Sequence, residues 1–349
     1  MTPRVDPAFP AGSFFSPPAA ANTLPWQNYG LRTVASGFAM DSVTAFAPAS
    51  VGNVGVGFDV LGHAIEGVGD TVTLHRRTAP GIVVTRISGR LTELPRAPEA
   101  NSAARPLLRM AAEHGISTGV ELSLHKGIPL GSGMGGSAAS AVAAVVAAND
   151  LWSLGLDHST LLDYALEGEN AASGAGHPDN AAASLLGGLV LTEPGRPPRC
   201  TRLPVPAGIA CVLCHPALEV RTRDARRILS PTVSLDSWVR QSAWLGGFIA
   251  GCLRNDLEQV ARCLQDEIIW PQRAGLVPGA HQALAAARAA GALGGSLSGS
   301  GPSVFAWTLT AGAPAVAEAF TRSFAELGVA TETWVSSPDA PGARIVREG

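Results

Sequence analysis

From Met40 onward the chain alternates apolar and polar side chains. Met40-Asp41-Ser42-Val43-Thr44-Ala45-Phe46-Ala47 puts every second residue on one face, which predicts a strand. Further strands are predicted at Asp70–Arg76, Gly81–Ile87, Val120–Leu124, Gly187–Leu191, Val304–Thr308 and Thr331–Val335. Ile209–His215 is a continuous apolar run, the signature of a strand buried on both faces. Helical periodicity falls on Asn101–His114, the alanine-rich Ser137–Asp150, Ser159–Ala172, Leu235–Leu253, Leu257–Ile269 and Ala280–Ala290. Residues 1–39 are rich in Pro, Ala, Ser and Phe and have no steady period. They read as a loose extension, or as a segment outside the natural product, with Met40 as an alternative start.

Prolines cluster with glycine and arginine between Pro194 and Pro206. That composition marks a boundary and divides the chain into residues 40–200 and 201–349. The expected class is α+β in two domains, which also suits the length of 349 residues.

Composition narrows the chemistry. With 46% hydrophobic and 15% charged residues the chain can bury a large core. A net charge of −3 gives no electrostatic reason to bind nucleic acid. The longest apolar stretch, Ala138 to Ala148, is interrupted by Ser140 and falls well short of the roughly 20 residues a bilayer span needs. The N-terminus lacks the basic-then-apolar layout of a signal peptide, so a cytoplasmic location with no membrane partner is expected. Five cysteines, an odd number in a long chain, argue against a disulfide framework. Lys126 is the only lysine, and no Gly-Lys-Ser/Thr sequence occurs. A Walker-type loop is therefore excluded, and phosphate chemistry would rest on backbone N–H groups, arginines and metal.

Between a predicted strand and the alanine-rich helix lies Pro129-Leu130-Gly131-Ser132-Gly133-Met134-Gly135-Gly136-Ser137-Ala138-Ala139-Ser140. Glycines let the backbone approach a ligand closely. The helix that follows offers unpaired N–H groups and the positive end of its dipole, an anion site. A hydroxyl at the helix start, Ser137, can also coordinate Mg²⁺. The bland alternative is a tight turn with Ser137 as an ordinary N-cap. A rival functional reading is the dinucleotide fingerprint G-x-G-x-x-G, met by Gly131, Gly133 and Gly136. It asks for an acidic residue at the end of a following strand, whereas Asp150 closes a helix.

Two more polar clusters sit among glycines. Pro48–Asp59 holds Asn53 and Asp59, and reads either as a loop with Asx turns or as a site. Glu169–Asn180 carries Glu169 near a helix end, then His177, Asp179 and Asn180 between glycines. Gly294–Pro302 mixes glycine and serine before a strand, which suggests a backbone lying close to a ligand. Cys211, Cys214 and His215 look like half a metal site, but no second half exists and the segment reads as a buried strand.

These glycine clusters, in this order and at these separations, resemble the GHMP kinases, the family acting on galactose, homoserine, mevalonate and phosphomevalonate. The resemblance runs from Ser42 to Ala343. Its detail is that of the homoserine branch: Pro48–Asp59 with the ending Gly-Val-Gly-Phe-Asp, Gly176–Asn180, and Thr222-Arg223-Asp224-Ala225-Arg226. It implies a ribosomal-protein-S5-domain-2-like N-terminal half and a ferredoxin-like α/β C-terminal half. It further implies ATP over Pro129–Ala139 with Asn101 near the adenosine end, Mg²⁺ at Ser137 and Glu169, and transfer of phosphate to the side-chain hydroxyl of homoserine. Asn53, Asp59, His177, Asn180, Arg226 and Arg273 would surround that substrate. Glu169, Ser137, Asn180 and Asp179 would form the catalytic set, with Asp179 where some relatives keep a basic aspartate. A homodimer is implied as well. Gly136 departs from the family pattern, which has serine there. Mevalonate or sugar kinases and a non-catalytic sensor on the same fold are the alternatives.

Overall fold

The protein is described here by a computed structural model covering residues 41–173 and 178–347. Expectations about residues 1–39 and about His177 lie outside the described residues. The described residues form one compact unit built around two sheets.

The alternation that opens the chain does form strand β1 (Ser42–Gly52), with Val43, Ala45, Ala47, Ala49 and Val51 buried. It pairs antiparallel with the long β2 (Leu61–Arg77), and the register jumps between Pro48, opposite Gly69, and Ala49, opposite Ile65. Proline has no N–H to give the ladder, so a break falls naturally there. β3 (Ile82–Gly89) runs parallel to β4 (Gly119–Lys126), which pairs antiparallel with β2. β5 (Leu189–Glu193) pairs with the start of β2, and β6 (Arg199–Leu203) with β5. β11 (Arg344–Val346) closes on β1 and completes seven strands.

The second sheet has the order β10 (Thr331–Ser336), β7 (Ile209–Pro216), β9 (Val304–Leu309), β8 (Ala292–Leu297), antiparallel throughout. In β7, Ile209, Cys211 and Leu213 enter the core shared with the first sheet. Ala210, Val212 and Cys214 enter a second core on the other face. Burial on both faces is the reason the run is uninterrupted in sequence. The two cysteines therefore point apart, which disposes of the half metal site.

Helices of the first half are α1 (Arg105–Glu113), α2 (Gly136–Leu151), α3 (His158–Ser173) and α4 (Pro178–Leu186). Those of the second half are α5 (Thr222–Arg227), α6 (Leu235–Arg254), α7 (Leu257–Cys263), α8 (Trp270–Arg273), α9 (Ala280–Ala289) and α10 (Ala313–Ala325). α2 is buried on every side from Ala138 to Asn149, and its small side chains let β1, β2, α3 and α4 pack close. Two predicted helices are shorter than their periodicity suggests. α1 starts late because Asn101 Oδ1 accepts the N–H groups of Ala103 and Ala104, forming a turn before Pro106. The helix expected over Leu257–Ile269 stops at Cys263, because the Asp266 carboxylate takes the N–H groups of Ile268, Ile269 and Trp270 and starts α8 instead.

Candidate active site

Three glycine segments far apart in sequence interlock through their backbones. Ser50 donates its N–H to Met134 O at 3.1 Å, and Gly299 donates to Gly52 O at 3.2 Å. Ser298 Oγ donates to Gly133 O at 2.8 Å, and Val220 N–H to Gly131 O at 3.1 Å. Gly133 has φ +74, and a Cβ there would lie 2.6 Å from Gly301 O, so only glycine fits between the loops. Gly135, at φ +69, is the residue before α2, and no side chain caps the helix. Ser137 is thus not the N-cap. By helix geometry the N–H groups of Gly136, Ser137 and Ala138 project from the first turn, while Ala139 already donates to Gly135 O. Met134, Ala138 and Ala139 bury their side chains, so they can meet a ligand only through backbone.

Ser137 is free to turn sideways, and its hydroxyl donates to Glu169 Oε1 on α3. Burial raises the Glu169 carboxyl to about 7, the neighbouring Asp179 adds to the rise, and the Ser137 bond partly offsets it. The charge of Lys126 also lowers it, but does not cancel the rise. Hard oxygen donors of this kind suit Mg²⁺, which takes one or two protein oxygens and completes its shell with phosphate and water. No group of three or more His, Cys, Asp or Glu able to hold a metal exists among the described residues.

Asp179 heads α4 and is buried. It accepts the Asn53 N–H at 3.1 Å, and burial with the charge of Asp59 raises it to about 6. Beside it Asn180 accepts the Ser50 hydroxyl at 2.9 Å. Asn53, Val54 and Asp59 adopt positive φ, a conformation that costs a non-glycine residue and clusters at functional sites. Asn53 holds that turn: its Oδ1 accepts the Asp59 N–H, and its Nδ2 donates to Gly299 O. Arg226 on α5 reaches Asp59 at 2.7 Å. Arg273 on α8 donates to Ala225 O and Gly299 O. Burial, with the Arg226 charge nearby, lowers Arg273 to about 10.

The structure therefore brings together Asn53, Asp59, Ser137, Glu169, Asp179, Asn180, Arg226, Arg273 and the glycine loop. Asn101 stands differently. It is buried, with Oδ1 spent on two N–H groups and Nδ2 donating to Pro95 O, so it shapes a turn. Leu130 is exposed at the lip of the loop.

Sequence reasoning missed Lys126. It is buried beneath the loop, paired with Asp70, and donates to Gly136 O at 2.8 Å and to Ser140 Oγ at 2.9 Å. Asp70 also accepts the N–H groups of Gly127 and Ile128. This pair ties β2, the end of β4 and the first turn of α2 together. The signal was present: a lone lysine three residues before the loop proline. The dinucleotide reading fails on topology, because α2 runs into helix α3 and no strand follows to carry an acidic residue.

A glycine-bordered helix start with a serine–glutamate pair beside it, tied through the Gly299 turn to a segment that gathers two arginines, is an arrangement suited to a small-molecule kinase. The sequence matches the family models for the GHMP kinases N terminal domain over residues 100–188 and for GHMP kinases C terminal over residues 248–326. The homoserine kinase of Xanthomonas campestris pv. campestris is 44% identical over 86% of this chain and 93% of its own length. That of Chlorobium phaeobacteroides is 40% identical over 88% of this chain and all of its own. The crystal structure of homoserine kinase from Cytophaga hutchinsonii superposes with a TM-score of 0.86 at 40% identity, covering 90% of this chain and all of that one. The chain belongs to the GHMP kinase family. The two sequence relatives and the Cytophaga structure described above all carry the name homoserine kinase.

Proposed function

We infer that the protein transfers the γ-phosphoryl group of ATP to the side-chain hydroxyl of L-homoserine, a step of threonine biosynthesis. The observation that carries this reading is the joint placement of the α2 start and its Ser137–Glu169 pair with an Asp59–Arg226–Arg273 cluster. The first suits a triphosphate. The second suits a zwitterion, with arginine for the carboxylate and Asp59 for the ammonium. ATP lies along Pro129–Ala139 in this reading, within residues 40–200, and residues 201–349 form the C-terminal domain that supplies the arginines.

Ser137 and Glu169 hold Mg²⁺, which when bound neutralises charge on the transferring phosphoryl group. The N–H groups of Gly136, Ser137 and Ala138 face the same charge. Gly136 lacks the hydroxyl of the family serine, so this chain relies there on backbone alone. Asn53, Asn180 and His177 complete the substrate shell, and Asp179 faces the acceptor hydroxyl. A carboxyl titrating near 6 is largely ionised at neutral pH and suits proton acceptance.

The test is ADP release with homoserine, mevalonate, galactose and shikimate as acceptors. Turnover on homoserine at least a hundredfold above the others is expected, and preference for any other acceptor refutes the reading.

No helix among the described residues is long and apolar enough to cross a membrane, and we place the protein in the cytoplasm with no nucleic-acid partner. We also propose a homodimer through α6, where Leu235, Trp238, Val239 and Leu253 are 72%, 57%, 51% and 62% exposed. Antiparallel pairing about Leu245 sets Asp236 beside Arg254 of a second copy. Sedimentation should give a dimer that Val239→Glu converts to monomer; a monomeric wild type refutes it.

A further inference from the structure

Arg226 and Arg273 are two cations brought to one place, and like charges need a reason to stay there. Their hydrogen-bond partners differ. Arg226 meets Asp59, whereas Arg273 meets the carbonyls of Ala225 and Gly299. Both lie near the Asp59 carboxylate, and both also lie over one aromatic ring. The Phe58 centroid lies 5.0 Å from Arg226 Cζ and 5.1 Å from Arg273 Cζ.

The ring is fixed by its own backbone. The next residue, Asp59, has φ +60, and its N–H is tied to Asn53 Oδ1 at 3.0 Å. Asn53 in turn is tied to Gly299 O, the carbonyl that also accepts from Arg273. Ring and arginines are thus anchored to the same loop. The negative face of an aromatic ring attracts a guanidinium without consuming any of its N–H donors. A carboxylate in the same position would attract as well, but would occupy those donors.

We propose that Phe58 is a positioning residue that presets the Arg226–Arg273 pair for a substrate carboxylate, and so sets preference for carboxylate-bearing acceptors. The proposal rests on the reading that these arginines take the homoserine carboxylate. An aliphatic side chain of similar size fills the space but offers no quadrupole, so the arginines lose their common support and pay more to organise on binding.

The experiment compares full-length wild type with Phe58→Leu, Phe58→Tyr and a variant carrying 3,4,5-trifluorophenylalanine at position 58. Steady-state constants are measured for homoserine, for homoserinol, which lacks the carboxylate, and for ATP. Two cation–π contacts correspond to about a 5- to 30-fold change. Phe58→Leu should raise KM for homoserine by that factor, with kcat, KM for ATP and kcat/KM for homoserinol within about twofold of wild type. Tyrosine should restore most of the affinity. The fluorinated ring, equal in outline but stripped of its negative face, should fall near leucine. Equal losses on homoserine and homoserinol, an unaltered Phe58→Leu enzyme, or full affinity with the fluorinated ring would each overturn the proposal. Failure of the underlying reading is separate: Arg226→Leu and Arg273→Leu would then leave KM for homoserine unaltered.

Discussion

We predict that the buried carboxyl of Glu169, as the proposed partner of Mg²⁺, makes magnesium use pH-dependent in a range where most carboxylates are silent. Burial raises this group to about 7, against roughly 4.3 for a free glutamate. A divalent cation binds the ionised form, so its apparent affinity follows the ionised fraction. That fraction is about 0.9 at pH 8 and about 0.1 at pH 6 for a pKa of 7, hence close to a tenfold loss. The sign for stability runs the other way. A raised carboxyl stabilises the ligand-free fold below its unfolded pKa and loses that contribution as pH rises toward 7, on the order of 3 kcal/mol for this shift. The assay is a Mg²⁺ titration of kcat/KM at saturating ATP from pH 6 to 8, for wild type and Glu169→Gln. The nucleotide titrates in both, so the ratio isolates Glu169. The wild type should lose about tenfold more apparent Mg²⁺ affinity between pH 8 and pH 6 than the variant does. Parallel profiles would remove Glu169 from the metal site.

Arg226→Leu and Arg273→Leu should each raise KM for homoserine by about 10- to 150-fold, the worth of a charge-assisted hydrogen bond, and leave KM for ATP within twofold; a loss of ATP affinity would assign them to the nucleotide. Asp179→Asn should lower kcat by about 10²-fold if it accepts the hydroxyl proton; near-normal kcat across pH 5 to 8 would leave that proton to the phosphoryl oxygens. Lys126→Met should cost about 3–5 kcal/mol in urea unfolding, because Asp70 is left charged and buried, and adding Asp70→Asn should recover much of it. A double variant no more stable than Lys126→Met would show that packing of the lysine stem, not the ion pair, carries the cost.

Elements with a single dominant period were legible in the sequence. β1 alternates over its first half, β7 is apolar throughout because both faces are covered, and α2 is alanine-rich because it is enclosed on all sides. Legibility failed where a local side chain overrules the pattern. Asn101 and Asp266 bond their own neighbouring N–H groups and end or restart helices that hydrophobic spacing alone would continue. It failed also where glycine sits in a strand. Gly294 and Gly295 belong to β8, and a Cβ on Gly294 would lie 2.7 Å from Leu264 O, so they are there for close backbone approach. Helix α10 was missed although Val316, Phe320 and Phe324 repeat at helical spacing and are all buried. Of the site, the glycine loop and the polar residues between glycines could be read from composition. Lys126 stood out as a lone lysine before the loop, but its partner Asp70 could not be read, because the pairing of their strands is a tertiary fact.

The backbone lattice explains why the site can be made of loops and still be rigid. Loops ordinarily move more than the elements they join, and a kinase must hold donor and acceptor within a fraction of an ångström for transfer. Here Ser50 is bonded to Met134, Gly52 to Gly299, Gly133 to Ser298 and Ser132 to Ser303, so each loop is braced by the other two. Side chains continue the bracing: Asn53 and Arg273 both donate to Gly299 O, so the turn bearing Asp59 and the arginine opposite it share one anchor. The residues for the phosphoryl donor and for the acceptor are thus referred to common backbone atoms. A displacement of the Gly299 carbonyl would move the Asp59 turn and Arg273 together, preserving the acceptor pocket's shape while shifting it relative to Ser137. The register between the glycine loop and the Asp59–Arg273 cluster therefore depends on the 298–301 turn, which is bonded to both, more than on any single side chain.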